Sequence, residues 1–384
     1  MSEKLKKLDW PIVVILVVFM VVSTLVIRSA ILSRPDWAGM DVKNMIFYAI
    51  GFVALMVVAL TDYRIWFRGT LLIYVLGVLL LVSVLLWGRE INGAKSWFVL
   101  ADGLSFQPAE LFKIVLIMTA AYLISKREGE PLEFFRDLIP IFICVAIPFV
   151  LVMAQPDLGN AVIYLVILTG MLWIGNLKYS HVLAGILIVA VFVAAFLFMY
   201  DKYHDPLYEY LLAQGKSHWM DRIDTFLDPE NVSEDARYQL NKSLIAIGSA
   251  GMFGEGYMQG TSVHNSFVPY TYSDSVFVVI GEEFGFMGAS VLLMIYFFLM
   301  YRLILIAIQC THFGGALMII GIVTMFVFQI FENIGMLIGI MPLTGITLPF
   351  ISYGGTSLLI NMLSIGIVMS IKIHHAAPSP LFTD

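Results

Sequence analysis

The sequence predicts an all-α, polytopic integral membrane protein of roughly ten transmembrane helices with one large extracytoplasmic loop. Three observations predict it. Hydrophobic residues make up 60 % of the 384 and charged residues 13 %, a balance outside the range of soluble domains. Apolar stretches near the ~20 residues that a bilayer crossing requires recur along the chain. One connection between them, 201–273, is far longer than the rest.

Taken in order, the apolar stretches fall at 10–32, 44–61, 70–87, 108–125, 138–154, 158–175, 180–200, 286–308, 314–338 and 356–373. Ten crossings put both termini on one side. Lys4, Lys6, Lys7, Arg64, Arg68, Lys126, Arg127, Arg136, Lys178, Arg302 and Lys372 fall on that side, against Arg34, Lys43, Arg89 and Lys95 in the short loops opposite. The positive-inside rule then makes the termini cytoplasmic. The first stretch is too long for a cleaved signal peptide, and no small-residue cleavage site follows it. The net charge of −6 says little about partners, because in such a chain the distribution of Lys and Arg decides more than their sum. Cys144 and Cys310 lie in or beside apolar stretches and form neither a disulfide framework nor a thiol or zinc motif. The whole of 1–384 reads as one membrane domain.

The long connection 201–273 carries ten acidic and five basic residues, Trp219 and several Tyr. Loops of this length are uncommon and usually functional. A helix-like run from Tyr238 to Ile247 ends in Gly248-Ser-Ala-Gly251, so the loop reads as an ordered lid of short helices on the outer surface.

Near the C-terminus the chain reads Met341-Pro-Leu-Thr-Gly-Ile-Thr-Leu-Pro-Phe-Ile-Ser-Tyr-Gly-Gly-Thr-Ser357. This run is too apolar for an ordinary loop and too broken by Pro342, Pro349, Gly345, Gly354 and Gly355 for a helix. Irregular backbone persists at membrane depth only where protein buries it or where it lines a polar cavity. The segment therefore marks a built site.

Polar residues at or near the membrane supply the candidate chemistry. Asp274 sits where the long loop re-enters apolar sequence, partly desolvated yet reachable from outside. Desolvation raises a carboxyl toward the range of a general base; equally, Ser273 or Asp274 is placed to cap the helix that follows, and the two roles are compatible. Glu282 and Glu283 follow two turns later among Val278, Val279, Ile280 and Phe284, where carboxylates need partners; an ion-pair or capping arrangement that orients the helix is the favoured role. Glu110 and Lys113 stand three apart after Pro108, spaced to pair on one helix face, with an anionic ligand as the alternative partner for Lys113. In Gln155-Pro-Asp-Leu-Gly-Asn160, Asp157 and Gly159 are first of all turn residues. Asn92-Gly-Ala-Lys-Ser-Trp97 reads as another outer turn carrying a basic residue, Lys95. Arg28 and Glu332 stand isolated in apolar sequence. No His cluster has metal-ligand spacing, and no P-loop, Rossmann fingerprint, nucleophile elbow or nucleic-acid-binding pattern occurs.

Several segments together resemble the shape, elongation, division and sporulation (SEDS) family, the RodA- and FtsW-like proteins. They are Asn92-Gly-Ala-Lys-Ser-Trp97, Phe106-Gln-Pro-Ala-Glu110 with Lys113, Gln155-Pro-Asp-Leu-Gly159, Tyr238-Gln239 with Ala246-Ile-Gly-Ser-Ala-Gly251, the Asp274–Gly285 segment, and Pro342-Leu-Thr-Gly345 with Leu348-Pro-Phe-Ile-Ser-Tyr-Gly-Gly-Thr-Ser357. The resemblance covers nearly the whole chain, and six segments in family order are specific where one alone would be weak. A short N-terminus without long cytoplasmic extensions favours the rod-elongation branch.

The resemblance implies a peptidoglycan glycosyltransferase that polymerises lipid II at the outer face of the bacterial cytoplasmic membrane, with Asp274 as its catalytic residue. It implies as partner a class B penicillin-binding protein transpeptidase, and as substrates lipid II and an undecaprenyl-pyrophosphate-linked glycan. Lys113, Glu110, Lys95, Arg222, Arg237, Ser352, Tyr353 and Thr356 are the candidate substrate-binding residues, supported by Glu282, Glu283, Asp157 and Gln155. In the implied reaction Asp274 takes the proton from the attacking N-acetylglucosamine 4-hydroxyl, while Lys113, with Arg222, Arg237 or a divalent cation (Mg2+ or Mn2+) as candidate helpers, stabilises the departing pyrophosphate. The sequence itself names no cofactor. Two departures from the family stand out. Pro269-Tyr-Thr-Tyr-Ser-Asp274 replaces a common Pro-Glu-Xaa-His-Thr-Asp, which argues against an obligatory His partner for Asp274. Ser96 stands where relatives commonly carry a basic residue, leaving Lys95 as its substitute. A lipid-precursor flippase or a non-catalytic scaffold are the competing classes; a transporter's key residues are expected nearer the midplane than Asp274.

Overall fold

The computed structural model describes residues 4, 6–91, 94–99, 105–213, 220, 224, 227 and 234–374. Its long helices are α1 (Trp10–Ala30), α2 (Met40–Leu60), α4 (Thr70–Trp87), α5 (Pro108–Ser125), α6 (Ile139–Met153), α7 (Leu158–Ile174), α8 (Tyr179–Ala213), α11 (Val276–Gln309), α12 (Phe313–Leu337) and α13 (Gly355–His374). Shorter helices are α3 (Tyr63–Arg68), α9 (Glu234–Ser249) and α10 (Thr261–His264). Among the described residues nine segments are long and apolar enough to cross a membrane, and α7, at 17 residues, is the slightly shorter tenth. The predicted all-α, multi-pass architecture is thus the observed one.

Local sequence explains where helices begin. Asp9 accepts from Ile12 N at the start of α1, Asp62 from Arg64 N at α3, and Asp157 from Asn160 N at α7, each closing an amide that the first turn leaves unpaired. Pro108 opens α5, where its missing N–H costs nothing. Helices α5, α12 and α13 form the interior: α12 packs on α5, α7 and α11, and α13 packs on α2.

Four features differ from the sequence expectation. The stretch predicted at 180–200 continues as helix to Ala213, through polar residues and a kink at Tyr203, so the first part of the presumed loop 201–273 is helical. The segment around Asn92–Trp97 is more than a turn: β1 (Arg89–Ile91), β2 (Ala94–Val99) and β3 (Ser105–Phe106) form a small antiparallel sheet. The crossing stretch at 286–308 and the helix expected just after Asp274 are one helix, which starts at Val276 and is broken at Gly285, whose φ of 63° lies in the left-handed region. Its N-cap is Ser275, without a side-chain capping bond, rather than Ser273 or Asp274. The helix-like run at 238–247 is observed, as part of α9.

The Gly285 break receives the preceding loop. Glu255 N and Gly256 N donate to the carbonyls of Glu282 and Glu283, and Phe286 N and Met287 N donate to those of Gly251 and Met252. A Cβ on Gly285 would lie 2.4 Å from Gly254 N, so the close approach of the two backbones requires glycine.

Candidate active site

The broken run 342–355 is held at its centre by buried hydroxyls. The Tyr296 hydroxyl donates to Pro349 O, the Tyr48 hydroxyl to Phe350 O, and the Ser23 hydroxyl to Ile351 O at 2.7 Å. Three successive carbonyls that no helix can satisfy are therefore met by buried hydroxyls, as backbone at membrane depth demands. Phe350 adopts a φ of 65°, unusual for a residue with a Cβ, and its ring stacks on Phe19 at 5.5 Å and meets Phe326 at 5.3 Å.

This frame positions Asp274. Ser352 Oγ donates to Ser273 O at 2.6 Å and accepts from Leu348 N at 2.8 Å, and Tyr353 N donates to Tyr272 O at 2.9 Å. Asn333, fully buried in α12, donates from Nδ2 to Asp274 O (2.7 Å) and to Ile346 O (2.6 Å), clamping the two segments together. The half-buried Asp274 carboxylate accepts from Ser273 Oγ at 2.9 Å. Gly345, in the left-handed region, lies against it: a Cβ there would stand 3.6 Å from Oδ2. Asn333 was not singled out in the sequence, and its one local signal is a buried amide beside an acid in α12.

A second polar cluster lies beneath the same turn. Lys113 Nζ sits 2.8 Å from Glu110 Oε1, and both residues are buried. Asp157 accepts from Gln107 Nε2 at 2.6 Å and from Asn160 Nδ2 at 2.9 Å. Burial pushes the Asp157 carboxyl up, the Asn160 bonds oppose this, and the charges of Glu110 and Lys113 act on it in opposite senses. The buried Glu332 carboxylate lies near Thr344 and within Coulombic reach of Lys113 and Asp157. Thr344 precedes Gly345, so this turn connects the cluster to Asp274. The cluster sets three carboxyl groups around one lysine, and Glu110 Oε2 and Glu332 Oε2 have no hydrogen-bond partner among the described residues.

Other candidate residues tie neighbouring segments together. Glu282 accepts from Ser262 N (2.7 Å) and Val263 N (3.0 Å), capping α10, and Glu283 accepts from the Ser29 hydroxyl and lies 3.7 Å from His264 Nε2. Both anchor the loop that leads into Asp274. Thr356 Oγ1 donates to Ser105 O at 2.7 Å, tying α13 to the sheet, and Gln155 Nε2 donates to Leu81 O at 3.2 Å. Lys95, on β2, reaches Leu86 O at 3.2 Å. Arg222 and the side chain of Arg237 lie outside the described residues. Among the described residues no group of three or more His, Cys, Asp or Glu is placed to hold a metal ion.

At the opposite end, Asp9 meets Arg302 Nη2 and Lys372 Nζ, both at 2.6 Å, and Lys4 Nζ lies 2.9 Å from His374 Nε2. Burial alone would raise the Asp9 carboxyl, but the two cations hold it below its usual value.

The family model for cell cycle proteins of the FtsW, RodA and SpoVE group matches residues 4–377. The peptidoglycan glycosyltransferase MrdB of Escherichia coli K12 is 33 % identical over 371 residues, covering 96 % of this chain and 94 % of the relative. The probable peptidoglycan glycosyltransferase FtsW of Geobacter sp. M18 is 32 % identical, covering 86 % of each. Among solved structures, a chain of a peptidoglycan synthase complex that coordinates polymerization and crosslinking superposes with a TM-score of 0.78 at 27 % identity, covering 97 % of this chain and 99 % of that one. The Thermus thermophilus rod shape determining protein RodA superposes with a TM-score of 0.69 at 26 % identity, covering 97 % and 98 %. The match along almost the entire chain, with relatives above 30 % identity, places this protein in the FtsW/RodA/SpoVE cell cycle family, the SEDS proteins.

Proposed function

We propose that this chain is a peptidoglycan glycosyltransferase that polymerises lipid II into glycan strands at the outer face of the cytoplasmic membrane, with Asp274 as general base. The observation that carries the base assignment is the clamp on Asp274. The segment that carries this half-buried carboxylate is held through its backbone: Asn333 donates to Asp274 O, Ser352 to Ser273 O and Tyr353 N to Tyr272 O, while Gly345 lies against the carboxylate. Such pre-organisation is what proton abstraction from a weakly acidic hydroxyl needs.

The 4-hydroxyl of the N-acetylglucosamine of lipid II attacks the anomeric carbon of the glycan carried on undecaprenyl pyrophosphate. The new C–O bond forms as the bond to pyrophosphate breaks, with inversion, and Asp274 takes the hydroxyl proton. Negative charge grows on the leaving pyrophosphate, and the buried Lys113 is assigned to stabilise it. When pyrophosphate is absent, Glu110 pairs with Lys113. A divalent cation would add charge stabilisation there, but the described side chains form no ligand set for one, so every step is assigned to this chain's own residues.

Both termini are assigned to the cytoplasm and Asp274 to the outer side. The basic residues 4, 64, 302 and 372 that gather at the end of the bundle opposite the long loop support this through the positive-inside rule. A class B penicillin-binding protein is the proposed partner, since the solved relative in a synthase complex couples polymerization to crosslinking. The test is purified protein, alone and with such a transpeptidase, incubated with lipid II and assayed for glycan chains. Polymer that forms in either condition supports the reading; translocation of lipid II across vesicles without polymer would favour the flippase instead.

A further inference from the structure

Beside Asp274 lies a row of aromatic rings that the proposed chemistry has not used. The Trp37 ring, from the turn between α1 and α2, meets Tyr272 edge-on at 4.6 Å, and Tyr272 meets Tyr353 at 5.9 Å. Arg34 lies over Trp37 at 5.0 Å. The row is fixed to the catalytic segment by backbone, because Tyr353 N donates to Tyr272 O two residues before Asp274. The Tyr272 hydroxyl is close enough to Asp274 to feel its charge.

A second aromatic group in the same molecule shows what core packing looks like here. Phe19, Tyr296 and Phe350 are all but inaccessible, and the Tyr296 hydroxyl is consumed by a backbone carbonyl. By contrast Trp37, Tyr272 and Tyr353 each keep part of their surface open. Three partly open rings with polar tips, rigidly held next to a carboxylate and a cation, have the composition of a small-molecule site: apolar faces for area and few polar groups for orientation. A pyranose ring has the matching chemistry, with an apolar face of axial C–H bonds and a rim of hydroxyls.

We propose that Trp37, Tyr272 and Tyr353 form the wall that receives the acceptor sugar, the ring whose hydroxyl Asp274 deprotonates. The inference rests on the glycosyltransferase reading above and names the acceptor subsite within it. The wall holds the ring by its apolar face, so the hydroxyl edge points toward the carboxylate. Tyr270 and Tyr272, which replace a carboxylate and an imidazole common in the family, give this chain a more aromatic subsite than those relatives.

The experiment measures binding to the full chain in nanodiscs, with Asp274→Asn present throughout so that nothing turns over. The probes are lipid II and undecaprenyl pyrophosphate, which shares the lipid and pyrophosphate but lacks sugar. Trp37→Leu and Tyr353→Leu are each expected to weaken lipid II binding about tenfold while leaving the sugarless lipid unaffected, and Trp37→Phe and Tyr353→Phe to restore affinity to within about threefold. Unchanged lipid II affinity in the Leu variants overturns the wall, and so does an equal loss for both lipids. Without the Asp274 change, the Leu variants should raise KM for lipid II with kcat within about threefold; an unchanged KM also counts against the wall. Failure of the base reading has a separate signature, namely polymerisation by Asp274→Asn itself.

Discussion

Helices α5 and α8 are both long apolar segments, and the more apolar of the two is the less buried. In α8 no residue is buried, whereas in α5 fourteen of eighteen are, Glu110 and Lys113 among them. In water this order would be reversed. In a bilayer the solvent is as apolar as any core, so hydrophobicity gives no reason to turn inward. Polar side chains do have such a reason, because lipid leaves them without partners. The least apolar crossing helices, α5 and α13, are therefore the most interior ones, and the site is built where they meet α12.

The largest expected effect concerns Lys113. Lys113→Ala should lower lipid II polymerisation by about 10²-fold or more if it stabilises the leaving pyrophosphate, whereas Leu187→Ser on the exposed face of α8 should stay within about twofold. Removing Lys113 also strands Glu110, so the paired variant Glu110→Gln/Lys113→Met is the sharper probe: it should fold with near-normal thermal stability and remain inactive. A well-folded, active double variant would make the pair purely structural.

The Asn333 clamp comes next. Asn333→Leu keeps the volume but removes the donor to Asp274 O and to the buried Ile346 O, at about 1–3 kcal/mol for the buried carbonyl. Polymerisation should fall about tenfold or more through kcat, with KM for lipid II little changed. A loss confined to stability, with normal kcat in the folded fraction, would reduce Asn333 to a packing residue.

The smallest effects test the packing contrast directly. A Cβ on Gly321 of α12 would stand 2.8 Å from Ile117 Cγ2 on α5, whereas one on Gly185 of α8 would meet nothing within 4 Å. Gly321→Leu should therefore cost about 1–3 kcal/mol through overpacking, seen as a clear drop in Tm, and Gly185→Leu should leave Tm unchanged or raise it. Equal shifts in Tm would mean that α8 is packed against protein rather than lipid.

How far the sequence could be read depended on the range of the interaction. The crossing helices were legible because each is a local run of apolar residues, and the Glu110–Lys113 pair because i and i+3 share a helix face. The broken run at 342–355 announced itself through proline and glycine. What satisfies it did not, since Ser23, Tyr48 and Tyr296 lie 53 to 328 residues away and read locally as ordinary residues in apolar helices. Asn333 stayed hidden for the same reason. The extension of α8 to Ala213 was missed because Asp201, Lys202, His204 and Asp205 look like the start of a loop, although helix can continue once it leaves the bilayer. The aromatic row gave no signal because Trp37 and Tyr353 approach Tyr272 only in the folded chain.

The central claim is that a clamped Asp274 is the base, and Asp274→Asn tests it most directly. The amide keeps the shape, and the backbone bonds of the 272–274 segment to Asn333, Ser352 and Tyr353 remain, so folding, Tm and co-purification with the transpeptidase should be unchanged. Polymerisation of lipid II by the purified complex should fall by about 10²-fold or more, in line with the loss of general-base catalysis. Wild-type polymerisation by well-folded Asp274→Asn protein would contradict the assignment.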